Sequence, residues 1–136
     1  GICVDLVKGH HNLGISSENG YIVPLDCGAT GKTLLAAQSD ELVERLIQNY
    51  PGLEEKLRNQ VKEIRQRGYC ISEGEVDEGV AAVAVPLPMP DHIYTLTYSG
   101  PVERLRGLDY MVLVHSLQQA VKNILLKCDG KRKEAL

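Results

Sequence analysis

Two neighbouring segments with the pattern of β-strands constrain the fold of this chain more than any other feature. Residues 79–87, GVAAVAVPL, form a near-continuous apolar run rich in valine, which favours a buried strand over a short helix. Residues 92–99, HIYTLTYS, alternate between apolar and polar side chains and end at Gly100-Pro101. We therefore expect the domain to be built on an antiparallel sheet.

Helix-like patterns occupy much of the remaining chain. Ser39 is placed to cap the second predicted helix at its N-terminus, and Gly68 lies where the third needs a C-terminal cap. The predicted helices cover residues 28–38, 40–49, 53–67 and about 103–128.

The N-terminal segment has the pattern of a hairpin followed by more extended chain. We predict a strand over residues 2–7, a turn over 8–12, a second strand over 13–16, a turn over 17–20 and an extended segment over 21–25. Strands, then helices, then strands and a last helix predict an α+β domain. Because no repeat or linker is visible, one domain is expected over residues 1–136.

Composition excludes several classes of function. A length of 136 residues fits one domain with a real core, and a net charge of −3 offers no basic footprint for nucleic acid. No apolar run reaches the roughly 18 residues of a membrane span, and no leader opens the chain, so a cytoplasmic protein is expected. No metal or other cofactor is predicted, because His10-His11 lacks further ligands. The four separated cysteines are expected to be reduced and packed: Cys3, Cys27, Cys70 and Cys128.

The segment DCGATGKTLLA, residues 26–36, has a tail like that of a phosphate-binding loop. A P-loop requires a glycine five residues before its second glycine, and that position is Asp26 here. Nucleotide binding is therefore disfavoured. The first turn of the predicted helix still presents unpaired N–H groups and a positive dipole end, which suit a carboxylate.

Small and hydroxyl-bearing residues occur where a small-molecule pocket could form. Strand alternation places Val80 and Ala82 on one face, and Thr97 and Ser99 share a face of the next strand. At the helix start, the residues with little bulk are Ala29, Thr30 and Gly31. Apolar walls with a few converging polar groups are typical of a ligand site. The alternative, that small residues merely let the sheet pack tightly against helices, stays open at this point.

Four pieces of sequence, taken in order, resemble one family. They are GATGKTLLA at residues 28–36, IRQRGY at 64–69, EVDEGVAAVAVP at 75–86 and YSGP at 98–101. Together they resemble the effector-binding domain of the IclR family of bacterial transcriptional regulators, over nearly the whole chain. The resemblance implies a GAF-like fold, in which a curved antiparallel sheet is flanked by helices and a small-molecule pocket lies on one face.

The resemblance also implies ligand-contacting positions. Ala29 and Thr30 match the helix start, Val80 matches the apolar wall, and Thr97 and Ser99 match the family's pair of hydroxyls.

Two positions depart from keto-acid-binding members of the family. Ser72 stands in place of an aspartate and Ala82 in place of a cysteine, which disfavours glyoxylate-like or pyruvate-like ligands. Glu75 matches an acidic position and is expected to hold its loop by backbone hydrogen bonds. We expect Lys32 to point outward or to pair with a nearby acid, and the rest of the acidic run 73–78 to be solvated.

The function that the resemblance implies is sensing of a small organic acid or similar polar metabolite. Ligand binding would modulate DNA binding by a separate N-terminal winged helix-turn-helix domain, which is not visible in this chain; the first helix and strand of the sensor domain are not visible either. A homodimer or homotetramer is implied, and no catalysis is expected. The alternatives are a small enzyme that uses Cys27 or Lys32 and a degenerate nucleotide-binding protein.

Overall fold

The structure is a computed structural model that describes residues 1–9 and 18–135. Within the described residues it contains five helices and three strands. In chain order they are α1 (Ala29–Ala36), α2 (Asp40–Ile47), α3 (Glu54–Arg67), β1 (Cys70–Glu73), β2 (Val80–Pro88), β3 (Ile93–Pro101), α4 (Val102–Leu108) and α5 (Tyr110–Ala135). The predicted α+β class, with a curved antiparallel sheet flanked by helices, is confirmed.

The sheet has the order β1-β2-β3, and both pairings are antiparallel. Ala82 is the partner of Ser72 on one side and of Ser99 on the other, so these three residues form a row across the sheet. Since side chains alternate along a strand, Val80 and Ala82 share one face of β2, as predicted, and Ala84 lies on the same face.

Helices cover both faces of the sheet, and each face has its own apolar core. The face of Ala84 packs with Ala29 and Leu35 of α1 and with side chains of α2 and α3. The opposite face, with Val83 and Val85, packs against α4 and α5. Because both faces of β2 are buried, its sequence is apolar almost throughout.

The predicted caps set the ends of two helices. The Ser39 hydroxyl accepts a hydrogen bond of 3.3 Å from the Leu42 N–H at the start of α2. Gly68 ends α3 in the left-handed conformation, with φ of 81°, and its N–H donates to the Ile64 carbonyl at 2.7 Å. Both predictions from sequence are confirmed.

The C-terminal region differs from the single helix predicted over residues 103–128. Asp109 has a φ of 67° and separates α4 from α5. Aspartate tolerates this conformation better than most residues. Its carboxylate accepts a hydrogen bond of 3.0 Å from the Met111 N–H, which caps the new helix. The apolar spacing continues through the break, so it gave no sign of it.

The N-terminal region also differs from expectation. The strand predicted over residues 2–7 is wrong, because Ile2 forms only an isolated antiparallel bridge with Ile22. The pairing ends where the Gly20 N–H donates to the Cys3 carbonyl at 2.8 Å, and Val7 is 92% exposed. The predicted strand over 13–16 and His10-His11 lie outside the described residues, as do parts of the two predicted turns.

Candidate ligand-binding site

Five of the predicted site residues share the face of the sheet on which α1 packs. They are Ser72 on β1, Val80 and Ala82 on β2, and Thr97 and Ser99 on β3. Ser72 is buried, while Ser99 at the far end of the row is exposed. The row therefore runs from the core to the surface beneath the start of α1.

Two positions at the start of α1 require glycine, one for its backbone conformation and one for close packing. Gly28, the N-cap residue, has a φ of 77°, which is strained for a residue with a side chain. A Cβ on Gly31 would lie 1.7 Å from the Pro24 carbonyl oxygen. The missing side chain of Gly31 thus makes room for backbone of the preceding segment.

Side-chain hydroxyls join α1 to the sheet. The Ala29 N–H donates a buried hydrogen bond of 2.9 Å to the Ser72 hydroxyl, and the Thr30 and Thr97 hydroxyl oxygens lie 2.9 Å apart. The structure thus brings together four predicted site residues from three elements. Because the Ala29 N–H already has an acceptor, a ligand carboxylate would have to share or replace that contact.

The other N–H groups of the first turn lie beside this contact. The helical hydrogen-bond pattern begins with the Lys32 N–H, which donates to the Gly28 carbonyl at 3.2 Å. The N–H groups of Thr30 and Gly31 come before this first hydrogen bond, so they have no acceptor within the helix. Thr30 combines such an N–H with a half-buried hydroxyl, which makes it the best-placed residue of α1 for contacting a ligand.

Lys32 and Glu75 form an ion pair next to the predicted site. The Lys32 ammonium lies 2.8 Å from one Glu75 oxygen, and its side chain is 6% exposed. The other Glu75 oxygen accepts the Gly28 N–H at 2.8 Å. Of the two alternatives predicted for Lys32, pairing with a nearby acid is confirmed. Glu75 does accept a backbone hydrogen bond, but from Gly28 at the start of α1 and not from its own loop as predicted.

Charge and burial act in opposite directions on Glu75. Burial opposes the charged carboxylate, but the hydrogen bonds from Lys32 and from Gly28 outweigh that effect and lower the pKa of Glu75. Neither residue was predicted as part of the site. The available signal was that Lys32 lies in the GATGK piece and Glu75 in the EVDEG piece of the sequence.

The cysteine thiols near the site are poorly suited to nucleophilic chemistry. Burial, followed by the nearby charges of Asp26 and Glu75, raises the pKa of Cys27. Burial also raises the pKa of Cys70. Since the thiolate is the reactive form, both cysteines are held as thiols at neutral pH. All four cysteines of the chain are free, but of the packing predicted for them only that of Cys70 is complete, since Cys3, Cys27 and Cys128 are half-buried.

A second acidic residue, Glu73, is bound on the opposite face of the sheet. Its carboxylate receives hydrogen bonds of 2.9 and 2.6 Å from the Arg106 guanidinium, and a further one from the Tyr110 hydroxyl. These hydrogen bonds lower the pKa of Glu73 to about 2. Glu73 is exposed, as predicted for the acidic run, but it belongs to strand β1 and not to a loop, and its contacts link β1 to α4 and α5.

Two surface depressions lie away from the predicted site. One, of about 440 Å³, is lined by residues that include Gln38, Met89 and His92. The other, of about 410 Å³, lies between the end of α3, β2 and α5, beside Gly68 and Lys122. Neither includes any of the eight predicted site residues, so the candidate site rests on the converging hydroxyls and not on a cavity.

Neither a metal site nor a membrane span is found in the part of the chain that the structure describes. There, no three His, Cys, Asp or Glu residues are grouped so that they could hold a metal ion. None of the helices in residues 1–9 and 18–135 combines the length and apolar character of a membrane span.

Family comparison assigns the class of protein. Residues 1–126 match the family model described as the C-terminal region of the bacterial transcriptional regulator IclR. This chain belongs to the IclR family and corresponds to its C-terminal domain. No curated protein sequence matches the chain.

Solved structures agree with this assignment. The C-terminal domain of a proposed transcriptional regulator from Vibrio cholerae is 25% identical, with a TM-score of 0.76, and the match covers 89% of this chain and 76% of that one. An IclR-family protein from Rhodococcus is 26% identical, with a TM-score of 0.76, over 90% of this chain and 51% of that one. This chain therefore spans about half the length of the Rhodococcus protein.

One of the similar structures contains a ligand. It is a double mutant of the inducer-binding domain of the PobR transcription factor from Acinetobacter, in complex with 3-hydroxybenzoic acid. It is 26% identical to this chain, with a TM-score of 0.67, and the match covers 79% of this chain and 68% of that one.

Proposed function

We propose that this domain senses a small polar metabolite and passes the signal to a separate N-terminal winged helix-turn-helix domain that binds DNA. Membership of the IclR family supports a role in transcriptional regulation in the cytoplasm. A double mutant of the PobR inducer-binding domain, which has a similar fold, binds 3-hydroxybenzoic acid, a small aromatic acid. In this proposal, the ligand-binding state of the present domain controls how the regulator binds DNA.

The observation that carries the proposal is the meeting of hydroxyl groups from different elements beneath the start of α1. Thr30 and Thr97 are already in contact, and Ser99 lies on the same face at the exposed end of the row. A hydroxyl can donate or accept a hydrogen bond, so this group can bind a carboxylate, a carbonyl or another hydroxyl. Val80 and Ala82 supply apolar wall beside it.

The proposed ligand is a small organic acid or a polar metabolite of similar size. Ser72 is neutral and buried, and its hydroxyl is bonded to Ala29, so it does not provide a charge for a ligand. Ala82 is small and half-buried. A ligand larger than a two- or three-carbon keto acid fits this combination best, because the short side chain leaves more of the wall open.

A thermal-shift screen of bacterial metabolites, run in parallel on the parent and two variants, tests the site. Loss of a hydrogen bond to a charged group costs about 1.5–3 kcal/mol, so Ser99→Ala should weaken a carboxylate ligand roughly tenfold to a hundredfold. Thr97→Val should weaken it as well. Ser116→Ala is the matched control, since Ser116 is an exposed serine on α5. A ligand that stabilises both variants as strongly as the parent contradicts the site.

Catalysis and nucleotide binding are the rival functions. The raised pKa of Cys27 and the pairing of Lys32 with Glu75 both disfavour covalent chemistry at these residues. The Glu75 carboxylate also occupies the Gly28 N–H and the Lys32 ammonium, two donors that a bound phosphate would need. A covalent adduct at Cys27 or Lys32 in mass spectrometry would contradict the sensor function, as would tight Mg-ATP binding that Lys32→Ala removes.

The proposal includes self-association, because paired DNA half-sites favour two-fold symmetric proteins. Helices α4 and α5 provide a better surface for self-association than α2. Whereas α2 carries no large, apolar and exposed residue, they carry four: Leu108, Met111, Val112 and Leu126. Light scattering should show a dimer or tetramer that Val112→Glu weakens. A strictly monomeric parent at high concentration contradicts this part of the proposal.

A further inference from the structure

The ion pair between Lys32 and Glu75 has no part in the proposed ligand contacts. It joins the loop between β1 and β2 to the first turn of α1. Lysine is almost never buried without a partner. The Lys32 side chain is 6% exposed, and its partner is the Glu75 side chain, which is 34% exposed. The single loop residue Glu75 therefore neutralises a charge inside the domain.

Glu75 occupies the place that an anion takes at the start of a helix. One of its oxygens accepts the Gly28 N–H and the other contacts the Lys32 ammonium, each at 2.8 Å. The helix dipole and the backbone N–H groups favour a negative charge at this end. The carboxylate is thus bound by one backbone donor and one buried cation.

Glu75 contacts the backbone just before Thr30. Gly28, Ala29 and Thr30 are consecutive, and the first two are held through their N–H groups by Glu75 and Ser72. Thr30 then meets Thr97 across the gap between α1 and the sheet. The loop that carries Glu75 is itself closed by a hydrogen bond of 2.8 Å from the Gly74 N–H to the Val80 carbonyl.

We propose that Glu75 is an internal anion that fills this position, holds Thr30 opposite Thr97, and directs a ligand's polar group to the hydroxyls. Glu75 is thus a positioning residue that also excludes a ligand carboxylate from the Gly28 N–H and the Lys32 ammonium. The statement on ligand choice rests on the proposed function. The statement that Glu75 is a bound anion does not, and it can be tested without any metabolite.

Chemical rescue with sodium acetate, against sodium chloride at equal ionic strength, is the test. Glu75→Ala removes the carboxylate and leaves Gly28 and Lys32 without it. Acetate should then raise the melting temperature of Glu75→Ala by several degrees with a saturable dependence, and should return the Gly28 amide resonance toward its parent position. The parent should not respond. Glu44→Ala should not respond either, because its partner Arg58 lies in an exposed pair open to water.

A second variant locates the rescue. In Lys32→Met/Glu75→Ala the cation is absent, so acetate should no longer stabilise the protein. In Ser99→Ala/Glu75→Ala the rescue should remain unchanged, because Ser99 belongs to the hydroxyl group and not to the ion pair. Rescue that depends on Ser99 and not on Lys32 would overturn the assignment, and so would equal stabilisation of the parent, Glu44→Ala and Glu75→Ala.

If Glu75→Ala does not fold, Glu75→Gln decides the question. This variant keeps the shape of the side chain and an acceptor for Gly28 but loses the charge. It should melt below the parent, and Lys32→Met/Glu75→Gln should recover part of the difference. A Glu75→Gln protein as stable as the parent would overturn the proposal. A negative metabolite screen combined with positive rescue would contradict the sensor function alone, so the two failures are distinguishable.

Discussion

Glu73 and Glu75 are two residues apart, and their carboxylates contact different layers of the molecule. Glu73 ends β1 and pairs with Arg106 and Tyr110 on the side of α4 and α5. Glu75 follows in the loop and pairs with Lys32 on the side of α1. The Arg106 side chain is 53% exposed and that of Lys32 is 6% exposed.

The difference in partner burial decides what each contact does. An exposed ion pair is screened by water and contributes little to stability. A buried cation that loses its partner is left uncompensated in a medium of low dielectric constant, which is strongly unfavourable. The ion pair of Glu75 should therefore contribute more to the stability of the fold than the short hydrogen bonds of Glu73.

The largest expected effect is that of Glu75→Ala on stability. Because Lys32 would remain buried without a counter-charge, we expect the free energy of unfolding to fall by about 3 kcal/mol. Urea denaturation followed by circular dichroism measures it. Glu73→Ala is the matched comparison and should shift the urea midpoint much less; equal shifts would contradict the comparison.

Replacing both members of the buried pair should undo most of that loss. Lys32→Met/Glu75→Leu removes both charges, and apolar replacements of buried pairs are often neutral in stability. We expect the double variant to unfold within about 1 kcal/mol of the parent, and the single variants well below it. A double variant that loses as much as the sum of the singles would show that the two residues are not coupled.

Lowering the pH should remove the contribution of Glu73 to stability over a defined pH range. Its hydrogen bonds with Arg106 and Tyr110 lower the pKa to about 2, below the 4.5 of an unperturbed glutamate. The folded state thus holds its proton less tightly than the unfolded state, so the contribution is present above pH 4.5 and is lost as pH falls toward 2. Carboxyl NMR should show Glu73 titrating below 4.5, and Glu73→Gln should flatten the stability profile in this window only slightly, because the pair is exposed to water.

The smallest expected effect is that of salt. At 1 M sodium chloride the screening length is about 3 Å, so the small stability difference between the parent and Glu73→Gln should shrink further. The difference between the parent and Glu75→Gln should persist, since the buried ammonium is shielded from ions. If salt reduced both differences equally, Lys32 would be open to solvent in solution.

Local patterns predicted two of the three sheet strands, β2 and β3, and the caps of two helices. The valine-rich run, the alternating run, Ser39 and Gly68 each act through neighbouring residues, so the sequence pattern contains the information. The short strand β1 was missed, because four residues that follow a helix cap provide too little alternation. The break at Asp109 was missed because the apolar spacing continues through it.

The candidate site was predictable in part. Alternation predicted which residues share the face with Ala82, and the structure places Thr97 and Ser99 there. The hydrogen bond from the Ala29 N–H to the Ser72 hydroxyl joins residues that are 43 positions apart in the chain. The burial of Lys32 likewise depends on how a loop folds over α1. No local pattern specifies such contacts.

The absence of a side chain at Gly31 has a mechanical consequence. Backbone meets backbone there, because the Pro24 carbonyl lies where a Cβ would be. Close-packed atoms transmit displacement with little slack. The segment around Pro24 also continues into the pairing of Val23 with Gly1. A shift of α1 by even a fraction of an ångström would therefore reach the first residues of the chain as movement of the backbone itself, without a flexible side chain to absorb it.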